Sequence, residues 1–556
     1  MKKTSNLIFT LILLSLTKLS LSQITNYAWV QNASTISSGY GKSTTTDNSG
    51  NIIVVGDFSG PNISFSTTTL NNSGLGDIFM VKYSPSGNII WAKGLGGSDY
   101  DYVKSVATDP SGNILITGYF NSPTITFGTI TLTNADNTGT SRDIFIVKYD
   151  PLGNVVWAKS AGGSLNDYGY SVDVDVMGNI TVVGGFYSNT ITFGTFLLTN
   201  AGNAEAFIVK YDSVGNTIWA MSAGGSVADV AYGVTTDATG NSIVTGYFNS
   251  SLIIFGSITL NNTAGTGTSD YFVVKFDPLG NVLWAKNANG AANESGQSVS
   301  VDSNGNIFVL GNYDGSSMSI GTTTITNSGG NDFFIAKYDA FGSFIWLKGN
   351  GGIANDHGQS ISTDNNGNAV LAGYFQSPSI LIGSTTHTNT GNSDVFAIKY
   401  DSTGNVIWSE TWGGSLNDEG YGISTDASGN IVLTGSFTSS TINFGSNNLT
   451  NTSGNGNYFL IKIGLSQLTN MITISKNPLV EIYPNPCSDF FSIRLIDNYF
   501  GIHKLEITNM FGVVVFQNSN SETNYKVPLS NYANGVYFIK IDNGRESSYT
   551  KLVKQN

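Results

Sequence analysis

Cysteine occurs once in 556 residues, at Cys487, so a disulfide-stapled scaffold is excluded. Charge is scarce too: 11% of the chain is Asp, Glu, Lys or Arg, against roughly 25% in ordinary soluble proteins. The 25 basic residues are outnumbered by 38 acidic ones, for a net charge of −13, which is the wrong balance for binding nucleic acid. The three histidines, His357, His387 and His503, stand far apart with no metal-ligand spacing. No phosphate loop, Ser–His–Asp neighbourhood or Cys–His pair is visible. Abundance lies elsewhere, in 66 glycines and in aromatic residues, which make up 12% of the chain. That aromatic content excludes a disordered acidic tail.

Residues 1–22 read as a secretory signal peptide. Lys2 and Lys3 precede the apolar stretch Leu7–Leu16, and Ser20 and Ser22 take the −3 and −1 positions before a cut ahead of Gln23. Lys18 interrupts the apolar stretch, which is too short for a membrane anchor, and no later segment is long enough to cross a bilayer as a helix. The mature chain is expected to be exported without a transmembrane segment.

The middle of the chain repeats one unit seven times. Trp29, Trp91, Trp157, Trp219, Trp284, Trp346 and Trp408 recur at steps of 62, 66, 62, 65, 62 and 62 residues. The second copy reads "SVATDPSGNILITGYF", then a polar insertion, then "DIFIVKYDPLGNVVWAK". Its four strand-like runs are "SVATD", "NILITGYF", "DIFIVKYD" and "NVVWAK", rich in β-branched and aromatic residues. Asp-x-x-Gly-Asn joins the first run to the second (Asp109–Asn113, Asp302–Asn306) and the third to the fourth (Asp150–Asn154, Asp401–Asn405). Asp bonds the turn backbone, and Gly and Asn tolerate positive φ, so these are tight hairpin turns. An EF-type calcium loop would need more carboxylates and a distal Glu.

About 42 residues of four-stranded sheet per copy, plus an insertion of roughly 20, match the blade of a β-propeller. The final copy ends at Asn457–Gly464 without a Trp strand, and Tyr27–Ala33 supplies one at the other end. The expected architecture is therefore all-β: a seven-bladed propeller over residues 26–465, closed by its N-terminal strand. The recurring Lys82, Lys148, Lys210, Lys275, Lys337, Lys399 and Lys462 read as structural, snorkelling to the rim or pairing with turn carboxylates. The copies resemble the SBBP-type β-propeller repeats of bacterial exported proteins, a resemblance that implies no single activity and no catalytic residues.

After a linker at 466–480 the chain changes character. Alternating strands with Asn-Gly turns from Glu481 to Asn556 suggest a small Ig-like β-sandwich. Three stretches stand out, in order: Tyr483, Pro484, Asn485 and Pro486; Asn534, Gly535, Val536, Tyr537 and Phe538; and Lys551, Leu552, Val553 and Lys554. They resemble the type A C-terminal sorting domain of the type IX secretion system of Bacteroidetes. That resemblance implies the secretion machinery as a partner, passage through the outer membrane, and release or attachment to surface lipopolysaccharide. Cys487 falls inside this domain and reads as a packed thiol.

Two candidate sites emerge in the repeats. Asp101, Asp167, Asp229, Glu294, Asp356 and Asp418 occupy equivalent positions before each innermost strand, with Ser37 in the seventh. Two readings stand: each acid caps its own loop, or the six converge at one channel mouth and bind a cation such as Ca2+ or a polar ligand. The second candidate rests on Trp412, which lies outside the Trp ladder. Glu410 and Glu419 flank it, and His357 aligns with Glu419 one copy earlier. An exposed Trp beside carboxylates suits sugar stacking with hydrogen bonds to hydroxyls. The Thr-, Asn- and Ser-rich insertions are expected to project from the face bearing the acids. The reading is of a non-enzymatic recognition or adhesion scaffold for carbohydrate or a surface partner. The alternatives are a polysaccharide hydrolase or lyase using the acids, and a passive structural component of the cell surface.

Overall fold

The computed structural model describes residues 26–136, 139–263, 265–290, 292–464, 480–495, 503–509, 514–520, 524–542 and 547–555. The signal peptide expected at 1–22 lies outside the described residues, as does the 466–480 linker apart from Val480. The chain divides into two compact units, Met1–Leu465 and Ser466–Asn556. Among the described residues all regular structure is β-strand, and no helix is long and apolar enough to cross a membrane.

The first unit holds seven antiparallel four-stranded sheets. In the second, the strands run in the order Asp101–Thr108, Ile114–Phe120, Asp143–Tyr149 and Val155–Ala161. The two middle strands are buried along their whole length, which explains their near-continuous apolar runs. The turns are made as the sequence implies. Asp109 accepts hydrogen bonds from the N–H groups of Ser111 and Asn113 and from the Asn113 amide, while Gly112 takes a φ of 80°. The seventh sheet is Asp418–Thr425, Ile431–Phe437, Asn457–Gly464 and Asn26–Asn32, the last pairing antiparallel with Asn457–Gly464 from Asn26↔Gly464 to Asn32↔Phe459.

Each sheet is open, with two edges of its own, and each rests on the next. Gly39–Thr46, Asp101–Thr108, Asp167–Val174, Asp229–Thr236, Glu294–Val301, Asp356–Thr363 and Asp418–Thr425, the innermost strands, touch in succession, and the last touches the first. Ser43, Ser105, Ser171, Ser298 and Ser360 accept, at 3.2–3.3 Å, an N–H from the innermost strand of the following sheet. Trp219, Trp284 and Trp346 each donate their indole N–H to a turn carbonyl of the following sheet, and Trp29 donates likewise to Pro85 O at 3.1 Å.

The repeating lysines close a second set of contacts. Lys82, Lys148, Lys210, Lys275, Lys399 and Lys462 form ion pairs of 2.7–3.0 Å with Asp47, Asp109, Asp175, Asp237, Asp364 and Asp426, the first residues of the turns after the innermost strands. Lys82, Lys148, Lys275 and Lys337 also donate to a turn carbonyl of the following sheet. Lys462 reaches Pro85 O of the first sheet at 3.5 Å.

The insertions depart from expectation. Each contains a two-stranded hairpin, such as Thr124–Phe127 with Ile130–Thr133, and packs against the outer strand of its own sheet instead of projecting freely. The cause is an alternation that the Thr/Asn/Ser content hides: Ile125, Phe127 and Leu132 are buried in the sheet's core while the threonines face outward.

The second unit is a two-sheet sandwich. Val480–Tyr483, Phe490–Leu495 and Asn524–Pro528 form one sheet, and Val514–Asn520, His503–Asn509, Gly535–Asp542 and Ser547–Lys554 the other. Its motif residues meet. Asn485 donates to Lys551 O at 2.7 Å and accepts the Val553 N–H at 2.9 Å, while Tyr537 and Leu552 lie in the core beside Cys487. Cys487 is a buried free thiol.

Candidate functional site

Every innermost strand carries one residue too many. Pairing with the second strand skips from Gly41 to Ser43, Val103 to Ser105, Gly169 to Ser171, Ala231 to Gly233, Gly296 to Ser298, Gly358 to Ser360 and Gly420 to Gly422. The cause sits opposite each bulge, in a glycine of the second strand. A Cβ on Gly184 would lie 1.9 Å from Tyr168 O, and one on Gly118 2.0 Å from Tyr102 O. The bare Cα lets the inner backbone press in. A bulge of this kind re-aims one side chain.

The re-aimed residues are Lys42, Lys104, Tyr170, Tyr232, Gln297, Gln359 and Tyr421. All seven line one cavity of about 410 Å³. Sheets one and two supply lysine, three and four tyrosine, five and six glutamine, and seven tyrosine. A geometry repeated seven times therefore presents seven positions whose chemistry varies with direction.

Beside this ring, tyrosines from three consecutive sheets form a continuous array. Tyr100 stacks on Tyr102 and Tyr168 on Tyr170, with ring centroids 6.1 and 5.7 Å apart. Tyr119 bridges Tyr102 and Tyr168. Tyr170 meets Tyr232 edge-on at 5.0 Å, and Tyr232 meets Tyr247 at 5.4 Å. Burial pushes the phenols of Tyr170, Tyr232 and Tyr421 far up, so each keeps its proton and can donate. Arg142 lies over Tyr102, Tyr119 and Tyr168 at 5.3–6.0 Å and donates to Asn121 Oδ1 and Tyr168 OH at 3.1 Å. Lys42 lies over Tyr40 and Tyr421, and Lys104 over Tyr102 and Tyr119. Burial lowers the Lys42 pKa; Lys104 pushes it the same way and Asp57 opposes.

The Trp412 site does not survive. Trp412 is 4% exposed, packed against Tyr27 and Phe444, with its indole N–H donated to Tyr27 OH at 2.8 Å. A ring so enclosed offers no face to a sugar. Glu410 shares its strand, Val406–Trp412, at the outer edge of the sixth sheet. His357 and Glu419 instead lie on innermost strands, where His357 packs on Tyr374 at 5.1 Å and Tyr421 donates its hydroxyl to Glu419. The proposed quartet is thus split between two places.

The six acids are likewise distributed. Asp101 accepts from Gly97 N at 2.7 Å, Ser122 N at 3.3 Å and Ser122 Oγ at 2.9 Å; Asp167, Asp229, Asp356 and Asp418 repeat the serine contacts with Ser188, Ser250, Ser377 and Ser439. Each of these is buried in its own loop rather than gathered at a common mouth, because the loop's N–H and hydroxyl donors draw the carboxylate inward. Glu294 is buried at the equivalent position. A second acid, at the head of the third strand of the preceding sheet, lies against each of the six: Asp77, Asp143, Glu205, Asp270, Asp332 and Asp394 face Asp101, Asp167, Asp229, Glu294, Asp356 and Asp418. Burial above all, with the neighbouring carboxylate, pushes Asp143 and Glu205 up to about 7 and Glu294 to about 8. Among the described residues no group of three or more His, Cys, Asp or Glu is placed to hold a metal ion.

The bulged positions were missed because the innermost run was read from Ser105, whereas the strand starts at Asp101. The available signal was the residue three places after each acid, Lys104, Tyr170, Tyr232, Gln297, Gln359 and Tyr421, variable inside a repeat that otherwise changes little.

Residues 481–555 match the family model of the secretion system C-terminal sorting domain, and residues 90–123 that of the SBBP beta-propeller repeat. The sorting domain implies handling by type IX secretion machinery, and with it export to the cell surface or the medium. An uncharacterized WD repeat-containing protein, L264, of Acanthamoeba polyphaga mimivirus is 26% identical over 340 residues, covering 50% of this chain and 24% of its own length. The regulatory protein FlaEY of Caulobacter vibrioides is 28% identical over 166 residues, covering 29% of this chain and 17% of its own. The chain thus spans at most about a quarter of these relatives. Among solved structures, PorZ, described as an essential bacterial surface component of the type-IX secretion system of Porphyromonas gingivalis, aligns at 12% identity. The alignment covers 92% of this chain and 59% of that one, with a TM-score of 0.35.

Proposed function

We propose that the first unit is a seven-bladed β-propeller, closed between its first and last sheets, that recognises carbohydrate at the mouth of its axial cavity without transforming it. Closure is supported by contacts that repeat the inter-sheet pattern across the chain ends. Asn26–Asn32 completes the seventh sheet, Thr46 Oγ1 donates to Thr425 O at 3.3 Å as Thr108 does to Thr46 O, and Lys462 and Trp29 reach Pro85 O.

The observation that carries the carbohydrate reading is the tyrosine array beside the bulged residues. Sugars offer an apolar C–H face and a rim of hydroxyls. Aromatic rings cover the first, and phenol, amide and ammonium groups pair with the second. Gln297 and Gln359 extend the amide supply around the cavity. A glycan array probed with the full chain tests this, each bound glycan then being assayed for released reducing ends. Binding without release is expected. Release would make the protein an enzyme, and a blank array would contradict carbohydrate recognition.

A further inference from the structure

We infer that the carbohydrate taken at this mouth is anionic, its carboxylate or sulfate groups seated against Lys42, Lys104 and Arg142. The inference rests on the carbohydrate reading and specifies the substrate class of the same site.

The chain carries a net −13, and six of its repeating lysines are consumed by buried ion pairs with turn aspartates. Lys42, Lys104 and Arg142 are placed differently: among the described residues none of the three makes an ion pair, and they gather in one sector, the lysines on the innermost strands of the first two sheets and Arg142 just ahead of Asp143–Tyr149 in the second. Asp57 acts on both lysines without forming an ion pair and uses one oxygen to accept the Val103 N–H at 2.9 Å. Glu419 acts on Lys42 as well, so two carboxylates answer three cations, and neither lies within ion-pair distance of them. Glu419, the other acid of the mouth, is engaged by the Tyr421 hydroxyl.

The cations are also held in place. Asn121 and Tyr168 fix the guanidinium plane of Arg142, and Tyr40 and Tyr421 flank the Lys42 ammonium. Cations laid on aromatic faces, partly stripped of water and short of a counter-charge, make strong charge-assisted hydrogen bonds to an incoming acid group. The tyrosines beside them would cover the sugar ring that bears it. A neutral glycan would leave these cations without a partner.

Isothermal titration of the full chain against two matched pairs tests the inference: oligogalacturonate with its methyl ester, and dextran sulfate with dextran. At least one charged member should bind about tenfold or more tightly than its neutral twin, with affinity falling as salt rises. The pair that responds tells carboxylate from sulfate. Lys104→Gln combined with Arg142→Gln should bring the charged member to the level of its twin, while Lys104→Arg retains most of the affinity. Equal binding of charged and neutral members, or charged binding untouched by the double substitution, would overturn the anionic assignment and leave the carbohydrate reading standing. No binding to either charged polymer, with neutral glycans bound on the array, would overturn it in the same way. A blank array would overturn both.

Discussion

Lys210 and Asp175 are the most enclosed of the repeating ion pairs, 0% and 1% exposed and 3.0 Å apart. Water cannot replace either partner there, so removing one charge leaves the other buried and uncompensated. Asp175→Asn keeps the turn's acceptor but loses the charge, and chemical denaturation should find a loss of about 3 kcal/mol. Acids of this repeat titrate in two opposite directions. Burial alone would raise Asp237, but hydrogen bonds from Lys275, Asn241 and Thr239 hold it down at about 2. Asp47, Asp109, Asp364 and Asp426 are lowered for the same reasons. Their contribution is present above the unfolded value of about 4 and is lost as pH falls through the folded one. Asp101, Asp143, Asp167, Glu205 and Glu294, raised to between about 6 and about 8, favour the protonated fold. Their contribution is complete below about pH 4 and is lost as pH climbs through the raised values. Melting temperature should therefore peak in mild acid, near pH ~4–5, and decline towards pH 8. A maximum at pH 8 would contradict the carboxylate pairing between sheets.

The glycine-backed bulge governs the next scale. It turns an ordinary inner strand into a means of aiming one side chain at the cavity. Gly184→Ala, whose Cβ would meet Tyr168 O at 1.9 Å, should flatten the bulge at a cost of about 1–3 kcal/mol and weaken glycan binding through Tyr170; a thermal melt and a titration check the two effects. Strands and turns were legible because each is local: β-branched runs between Asp-x-x-Gly-Asn turns are specified within ten residues or so. The bulge was not, since it exists only in the pairing of two strands, and the glycine that permits it lies 14 residues from the side chain it redirects, as Gly184 does from Tyr170. The insertion hairpins were missed for a related reason. Their hydroxyl-rich composition reads as surface, while the Ile and Phe at alternate positions, Ile125 and Phe127 for instance, anchor them into the sheet. Trp412 misled in the opposite sense: a residue unique to one copy suggested a unique site, but it fills a packing space beside Tyr27, a neighbour 385 positions away.

Across the whole molecule the tryptophan spacing made the repeat count and the missing final strand visible in the sequence, and the pairing of Asn26–Asn32 with Asn457–Gly464 is the arrangement that spacing implied. Under the proposed ring, deleting Asn26–Asn32 exposes a long apolar edge strand, and light scattering should detect self-association; a deletion variant that stays monomeric with an unchanged melt would speak against closure. The acidic excess is sorted by position: turn aspartates hold lysines and loop acids are buried between sheets, while Lys42 and Lys104 line the cavity. The proposed recognition takes place at this cavity and not at the outer-edge tryptophan. It is tested most directly by titrating the best array glycan into the full chain, the Tyr168→Ala/Tyr170→Ala variant and the Trp412→Phe variant, with all three confirmed folded by their melts. The tyrosine variant should lose about tenfold or more in affinity, while Trp412→Phe should bind as the unaltered protein does. Loss on Trp412→Phe with binding intact in the tyrosine variant would contradict recognition at this cavity.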